Sequence, residues 1–190
     1  EVPHGAWSYL GRQIKARVKA PVAQGMRMNI AKAEELIERG DFDAIVMGRP
    51  FLADPDVVNK AIAGKAEDIR PCVGCNAKCL DMAMVSKPIG CIGNYECNRE
   101  TELSDENGLM PTEKKSEHPE RILVIGAGPS GMEFARVAAL RGHKVTIWEK
   151  RNRTIGLSLF AATPPRRYDI RYLGQWLEHT CRELGVEIKT

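Results

Sequence analysis

Four cysteines in one short irregular stretch could together bind a metal centre. They are Cys72, Cys75, Cys79 and Cys91, and their spacing is C-x2-C-x3-C-x11-C. Structural zinc sites usually pair two closely spaced knuckles across a longer gap. Three close thiolates and one remote thiolate are more typical of an iron-sulfur cubane, in which each iron binds one cysteine. The spacing therefore favours an iron-sulfur cluster over zinc, with a disulfide or unliganded thiols as the weakest alternative.

Two further cysteines, Cys97 and Cys181, lie outside this spacing. We interpret both as ordinary thiols, with Cys97 as a minor alternative ligand. A secreted disulfide framework would spread its cysteines through a small domain, whereas these lie beside a nucleotide-binding motif. The cluster of cysteines therefore predicts a metal or redox site in a cytoplasmic protein.

A glycine-rich turn forms a second candidate site. Gly126, Gly128 and Gly131 make the pattern G-x-G-x-x-G between an apolar strand pattern and an amphipathic helix pattern that includes Pro129 and Ser130. These glycines allow a tight turn, a close approach to a pyrophosphate, and close packing of helix on strand. The N-terminus of the helix attracts the anion.

An acidic residue completes this second pattern. Glu149 ends the next predicted strand, where a carboxylate can accept hydrogen bonds from a ribose. The pattern predicts a site for a dinucleotide or an ADP moiety, and it does not distinguish FAD from NAD.

Two arginines follow strand patterns that end in glycine. Arg27 comes shortly after Gly25, and Arg49 directly follows Gly48. In a (β/α)8 barrel the loops after the last two strands commonly form a phosphate site. Two such units also fit a doubly wound sheet, and arginines at strand ends often face solvent.

Residues 1–70 alternate strand and helix patterns. Strands are predicted at 20–25 and 43–48, and helices at 29–40 and 53–64. Asn29 and Asp54 are the predicted N-caps, with Pro55 at the first position of the second helix and Gly40 and Gly64 after the helix ends. A whole barrel needs about 250 residues, so this stretch has room for about two of its units.

The rest of the chain divides into three further parts. Residues 71–97 carry the cysteines without a clear period, and residues 98–120 are charged and predict a linker. Residues 121–190 predict a strand, the glycine turn, a helix and a strand, then a helix at 169–184 that leads into "GVEIKT" at 185–190.

Composition narrows the class of protein. The chain has 190 residues, of which 43% are hydrophobic and 28% charged, and its net charge is +3 with both signs interspersed. We therefore expect no nucleic-acid partner and no membrane span. Because the chain opens with Glu1 rather than Met, we expect a processed product or a part of a longer protein.

Three motifs in one order make a family resemblance specific. The run "AIVMGRPFLADPDVVNKAIAGKAEDIRPCVGCNAKCL" is followed by the fourth cysteine and then by "ILVIGAGPSGMEFARVAALRGHKVTIWEK". Essentially the whole chain resembles the NADH:flavin oxidoreductases of the 2,4-dienoyl-CoA reductase and trimethylamine dehydrogenase group. These proteins are Old Yellow Enzyme-like barrels fused to an iron-sulfur segment and a pyridine-nucleotide-disulfide-reductase-like domain.

The resemblance implies an α/β fold in four parts. Residues 1–70 would be the C-terminal part of an FMN-binding TIM barrel, 71–97 a [4Fe-4S] segment, 98–120 a linker, and 121–190 the start of a Rossmann-like domain that binds FAD or NAD(P). The four spaced cysteines would bind the cluster.

The resemblance also implies flavin contacts. Arg27, Gly48 and Arg49 would lie near the FMN phosphate, and the glycine turn with Glu149 would hold the ADP half of FAD, or ADP alone. Family members often carry Gly-Gly-Gln after this strand; here the stretch is "IGLSL", in which only Gly156 matches. Arg167 falls where a basic residue often follows Pro-Pro.

Such a reductase moves a hydride from NAD(P)H to FAD, single electrons through the cluster to FMN, and a hydride onto an activated C=C bond of a small substrate. The catalytic acid would precede Glu1 and the NAD(P)H-binding insertion would follow Thr190, so we name no catalytic residue and expect the chain alone to be inactive. Two alternatives remain: an amine dehydrogenase or demethylase that passes electrons to a partner protein, and a zinc-stabilised nucleotide-binding module without redox activity.

Overall fold

The structure is a computed structural model that describes residues 2–190, and its first part is a small α/β arrangement. Strands β1 (Ala23–Gln24) and β2 (Ala44–Ile45) pair in parallel, with Ala23 opposite Ala44. The helices of this part are α1 (Ser8–Lys15), α2 (Ile30–Glu38), α3 (Arg49–Ala53) and α4 (Val57–Ile62), followed by a 3-10 turn at Ala66–Asp68. Its core is formed by Met28, Leu36 and Phe42.

Helix α2 begins and ends where the sequence predicts. The side chain of Asn29 accepts a hydrogen bond from the backbone N–H of Lys32 at 2.9 Å. At the other end Gly40 has a φ of +71°, and the N–H of Asp41 donates to the carbonyl of Leu36 at 3.0 Å. Both ends follow standard capping geometry, so local sequence determines this helix.

Three details of the first part differ from the prediction. Both strands are only two residues long, because within residues 2–190 each of them pairs with the other alone. The predicted helix at 53–64 is split, so that α4 begins at Val57 rather than at Pro55. The carboxylate of Asp54 accepts from the N–H of Asp56 at 3.0 Å and from the N–H of Arg70 at 2.8 Å. Asp54 therefore joins this turn to the start of the cysteine segment.

The cysteine segment is mostly irregular, as predicted, with one short helix, α5 (Leu80–Met84), directly after Cys79. The side-chain amide of buried Asn94 donates to the carbonyl of Leu52 at 3.2 Å. This contact anchors the segment on α3.

The predicted linker contains helix α6 (Glu100–Leu103) and packs against the end of the next helix. The ammonium of Lys115 donates to the carbonyl of Leu140 at 2.7 Å, and the N–H of Ser116 donates to the carbonyl of Arg141 at 2.8 Å. Residues 98–120 are therefore tied to the second part of the chain.

The second part is a parallel sheet with the strand order β3-β4-β5. The strands are β3 (Arg121–Ile125), β4 (Lys144–Trp148) and β5 (Glu187–Lys189), and the helices are α7 (Pro129–Leu140), α8 (Ser158–Ala161) and α9 (Ile170–Glu183). Met132, Ile147 and Cys181 are fully buried between sheet and helices. No helix within residues 2–190 is long and apolar enough to span a membrane.

Helix α9 also joins the second part to the first. Trp176 donates its indole N–H to the carbonyl of Asp68 at 3.0 Å. The guanidinium groups of Arg70 and Arg136 lie 4.7 and 5.4 Å from the centre of the indole ring. Burial and the charge of Arg136 lower the pKa of Arg70. The ring therefore packs between the end of the first part, at Asp68 and Arg70, and α7.

Candidate functional site

The glycine turn has the geometry that its pattern predicts. It connects β3 to α7, with Pro129 at the first position of the helix. A Cβ on Gly131 would lie 2.1 Å from the carbonyl oxygen of Gly126, whereas a Cβ on Gly128 would meet no atom within 4 Å. Gly131 is therefore required for packing, and Gly128 leaves open space in front of the turn. Ser130 is exposed at the start of the helix.

Gly156 and Glu149 both lie against this turn. Gly156 has a φ of +55°, and a Cβ there would lie 3.2 Å from the Cα of Gly128. The Glu149 carboxylate accepts from the N–H of Ala127 at 2.9 Å and from the N–H of Arg151 at 3.0 Å. The hydrogen bonds from Arg151 and Ala127 lower the pKa of Glu149. The structure thus keeps an ionised acceptor beside the turn.

We expect Glu149→Gln to weaken FAD binding about tenfold, because the ribose hydroxyls lose a charged acceptor and keep only a weaker neutral one. The measurement is the FAD retained per protein after gel filtration and its Kd by titration. Glu187→Gln is the matched control, since Glu187 is exposed on the neighbouring strand β5, bonded to Lys189 and Thr146, and also has a lowered pKa. An equal loss in both variants would mean that only net charge matters.

The predicted FMN residues line one cavity of about 280 Å³. Arg27, Gly48 and Arg49 all contribute to its wall, together with His4 and Cys72. Met26 and Arg27 have φ values of 75° and 49°, in the left-handed region. We call this cavity the arginine pocket.

The two arginines of the arginine pocket have different partners. Arg49 Nη1 donates to Asn76 Oδ1, a neutral acceptor, at 2.6 Å. Arg27 Nη2 donates to the carboxylate of Asp169 at 2.5 Å, and His4 Nε2 lies 2.9 Å from the same oxygen. Arg167 is exposed on the turn before α9 and does not line the arginine pocket.

All four spaced cysteines line a second cavity, the cysteine cavity. Its wall contains Cys72, Cys75, Cys79 and Cys91 together with Leu52, Ile92 and Leu173. All six cysteines of the chain are free thiols, so the disulfide alternative does not describe this structure. Positive φ values at Gly74 and Asn76 turn the chain between the first cysteines.

The donor set of the cysteine cavity fits a multi-iron group better than a single ion. Around one zinc ion every sulfur would lie about 2.3 Å from the metal. The structure places the four thiols around the wall of the cysteine cavity. In a cubane each thiolate binds a different iron, so the four sulfurs surround a volume instead of meeting at a point. Burial raises the pKa of Cys72, so ligation there releases a proton.

The remaining two cysteines do not line the cysteine cavity. Cys97 is buried, and burial, followed by the nearby Cys91, raises its pKa. Cys181 lies in the core of the second part, where its thiol donates to the carbonyl of Met132 at 3.3 Å and burial raises its pKa to about 11. Cys181 thus has a packing role.

The three sites adjoin in a row. The cysteine cavity shares Arg49 and Cys72 with the arginine pocket. On its other side it shares Ile92, Gly93 and Leu173 with a third cavity, which is also lined by Pro129 and Ser130 of the glycine turn. The sequence did not point to His4, Asp169 or Leu173, because these residues reach the sites only through long-range packing.

Comparison with known proteins identifies the family to which the chain belongs. The model of the pyridine nucleotide-disulphide oxidoreductases matches residues 83–190, which is more than half of the chain. The chain belongs to this family. Its second part therefore has the α/β fold of the pyridine nucleotide-disulphide oxidoreductases.

Relatives place this family member in the NADH:flavin oxidoreductase group. A metal reductase of Desulforamulus reducens is 49% identical over 99% of this chain and 27% of its own length. The structure of a 2-naphthoyl-CoA reductase has a TM-score of 0.88 and 34% identity, over 98% of this chain and 28% of its own. A 6-hydroxypseudooxynicotine amine oxidase from Pseudomonas geniculata N1 has a TM-score of 0.86 and 30% identity, with the same two coverages. The chain thus spans little more than a quarter of these relatives.

Proposed function

We propose that this protein is an iron-sulfur flavoprotein that passes electrons from NAD(P)H through FAD and a [4Fe-4S] cluster to FMN and onto an activated C=C bond. The observation that supports it is the row of adjoining sites, in which four free thiols lie between the arginine pocket and the glycine turn. A cluster exchanges one electron at a time, and so connects two flavins that each exchange electron pairs with their substrates.

The arginine pocket is suited to a phosphate monoester. Arg49 carries a charge that its partner Asn76 does not neutralise, and Gly48 precedes it at the start of α3. Guanidinium groups bind phosphate oxygens through charge-assisted hydrogen bonds. On this proposal residues 1–70 are the C-terminal part of a TIM barrel, and Arg27, Gly48 and Arg49 hold the FMN phosphate.

The cysteine segment supplies the ligands for the cluster. Cys72, Cys75, Cys79 and Cys91 bind the four irons, while Leu52, Ile92 and Leu173 give the cavity an apolar wall that limits access of water. Asn94 fixes the segment on α3. This fixed position holds the thiolates at a constant distance from the arginine pocket.

The glycine turn binds the ADP half of FAD. Gly126, Gly128 and Gly131 bring the backbone close to the pyrophosphate, and Pro129 and Ser130 stand at the N-terminus of α7, which attracts the anion. Glu149 accepts hydrogen bonds from the ribose, and Gly156 packs on the turn. Arg167 is assigned to the same FAD, and its side chain is exposed on the separate turn before α9.

The identities of the relatives favour a reductase with a small-molecule substrate. One relative is a metal reductase and another reduces 2-naphthoyl-CoA, as their names state. The amine oxidase among the similar structures supports a second candidate function, that of an amine dehydrogenase or demethylase. In that function electrons pass from an amine through FMN and the cluster to a partner protein.

The test is anaerobic purification of the full-length protein, followed by analysis of iron, acid-labile sulfide, zinc and released flavins. We expect about four irons and four sulfides per chain, together with FMN and FAD. Stoichiometric zinc without sulfide would reject the redox proposal in favour of a zinc-stabilised nucleotide-binding module. Steady-state assays then compare NAD(P)H oxidation with an enoyl thioester against oxidation of an amine by an artificial acceptor, and activity with the amine alone would reject the reductase direction.

A further inference from the structure

A carboxylate of the second part reaches across to the arginine pocket. Asp169 precedes the first turn of α9, and its partner Arg27 lies 142 residues earlier in the chain. We infer that Asp169 is a positioning residue that orients Arg27 for the phosphate of FMN and makes FMN binding depend on the docking of α9. This inference rests on the proposed assignment of FMN to the arginine pocket.

The contact is close and well shielded. Arg27 Nη2 and Asp169 Oδ2 are 2.5 Å apart, and the side chains are 10% and 14% exposed. His4 Nε2 lies 2.9 Å from the same carboxylate oxygen. Shielded charge-assisted hydrogen bonds of this kind hold one geometry far better than exposed ion pairs do.

Asp169 contacts Arg27 from outside the arginine pocket. Arg27 and His4 are part of the wall of the arginine pocket, and Asp169 is not. A guanidinium has five N–H donors in a rigid fork, so one arginine can bind a carboxylate and a phosphate at the same time. Asp169 therefore fixes the direction of the fork without occupying the space of the anion.

Orientation matters here because of the backbone that carries Arg27. Both Met26 and Arg27 have positive φ values, so the side chain leaves the strand end in an unusual direction. A long arginine side chain loses much rotational freedom when it binds a ligand. Because Asp169 already restricts the rotation of the Arg27 side chain, less rotational entropy is lost when the phosphate binds.

Helix α9, which follows Asp169, also contacts the surroundings of the cysteine cavity and of the glycine turn. Leu173, one turn after Asp169, forms part of the cysteine cavity and of the third cavity. A Cβ on Gly174 would lie 2.2 Å from Cγ2 of Ile155, the residue next to Gly156, so α9 also packs tightly beside the glycine turn. One rigid helix thus contacts the surroundings of all three proposed cofactors, and Asp169 is its link to the first.

Charge alone leads to the opposite expectation. Asp169 partly neutralises Arg27, so its removal would strengthen phosphate binding if only the electrostatic potential mattered. If orientation dominates, its removal weakens binding. The isosteric Asp169→Asn separates the two effects, because it removes the charge and keeps an oxygen that accepts from Arg27.

The experiment is titration of the FMN-stripped full-length protein with FMN, followed by flavin fluorescence. We expect Asp169→Ala to raise the Kd roughly tenfold, the effect that supporting partners of binding residues typically have, and Asp169→Asn to give an intermediate Kd. Asp68→Asn is the matched control, since it removes the charge from the contact between Asp68 and His179 of α9, which is 2.8 Å long and away from the arginine pocket. We expect that control to bind FMN like the wild type.

The outcomes separate the inference from the proposed function. Unchanged or tighter binding in both Asp169 variants would overturn the inference, and so would an equal loss in Asp68→Asn, which would indicate general loosening of α9. Arg49→Gln tests the pocket itself: if it binds FMN normally, the FMN assignment is wrong. Loss of binding in Arg49→Gln without any loss in the Asp169 variants would leave the proposed function standing and reject the positioning role.

Discussion

Replacement of Cys79 by serine is expected to abolish the iron-sulfur cluster and to leave FAD binding largely intact. Serine is a poorer ligand for iron than a thiolate, so we expect the three remaining thiolates to hold the cluster too weakly to retain it through purification. Cys79 precedes helix α5, and its side chain makes no capping hydrogen bond there. Because the glycine turn lies in a separately packed sheet, we expect the fold of the second part to persist.

The measurement is the visible absorbance, with iron and sulfide analysis, of the anaerobically purified full-length variant, combined with its FAD content. Cys97→Ser is the matched control, since Cys97 lies six residues after the fourth predicted ligand and outside the wall of the cysteine cavity. We expect that control to keep its cluster. A full cluster in Cys79→Ser, or loss of the cluster in Cys97→Ser, would show that the ligand assignment is wrong.

Two glycines of the turn are expected to respond to alanine in different ways. In Gly131→Ala the new Cβ would lie 2.1 Å from the carbonyl oxygen of Gly126, so strand β3 and helix α7 must move apart. Overpacking of this kind costs about 1–3 kcal/mol, and backbone cannot yield as a side chain does. We expect a lower free energy of unfolding together with loss of FAD.

Gly128→Ala is expected to keep the stability of the protein and to lose FAD. Its backbone has a φ of −80°, which alanine adopts readily, and the new Cβ would meet no protein atom within 4 Å. The methyl group would instead occupy the space in which the pyrophosphate approaches the backbone. The measurements are urea unfolding and FAD content of both variants. Normal FAD binding by Gly128→Ala would mean that the pyrophosphate lies elsewhere.

Local sequence was sufficient for the elements whose ends carry their own signals. Asn29 and Gly40 bound α2, and the glycine turn with its strand and helix lies where the pattern predicts. Local patterns were misleading where contacts between distant residues determine where a helix begins. Asp54 looks like a helix cap, but its carboxylate also binds the N–H of Arg70, and the helix begins only at Val57.

The candidate site divides in the same way. The four cysteines and the glycine turn could be found from spacing, because each motif lies within a short segment of chain. Asp169 and Leu173 could not be found from spacing, because each lies far along the chain from the residue beside which it packs. Their positions depend on how α9 packs across the chain, as the contact between Leu173 and Gly93 illustrates.

The ring of Trp176 under two guanidinium groups has a consequence for the fate of electrons. An indole that gave up an electron would become a third positive charge beside Arg70 and Arg136, both of them largely buried, and repulsion between like charges makes that product costly. The ion pair between Arg136 and Glu133, 2.7 Å long, offsets part of this repulsion. Because Arg70 directly precedes the cysteine segment, we expect Trp176 to be a poor one-electron donor beside the proposed cluster.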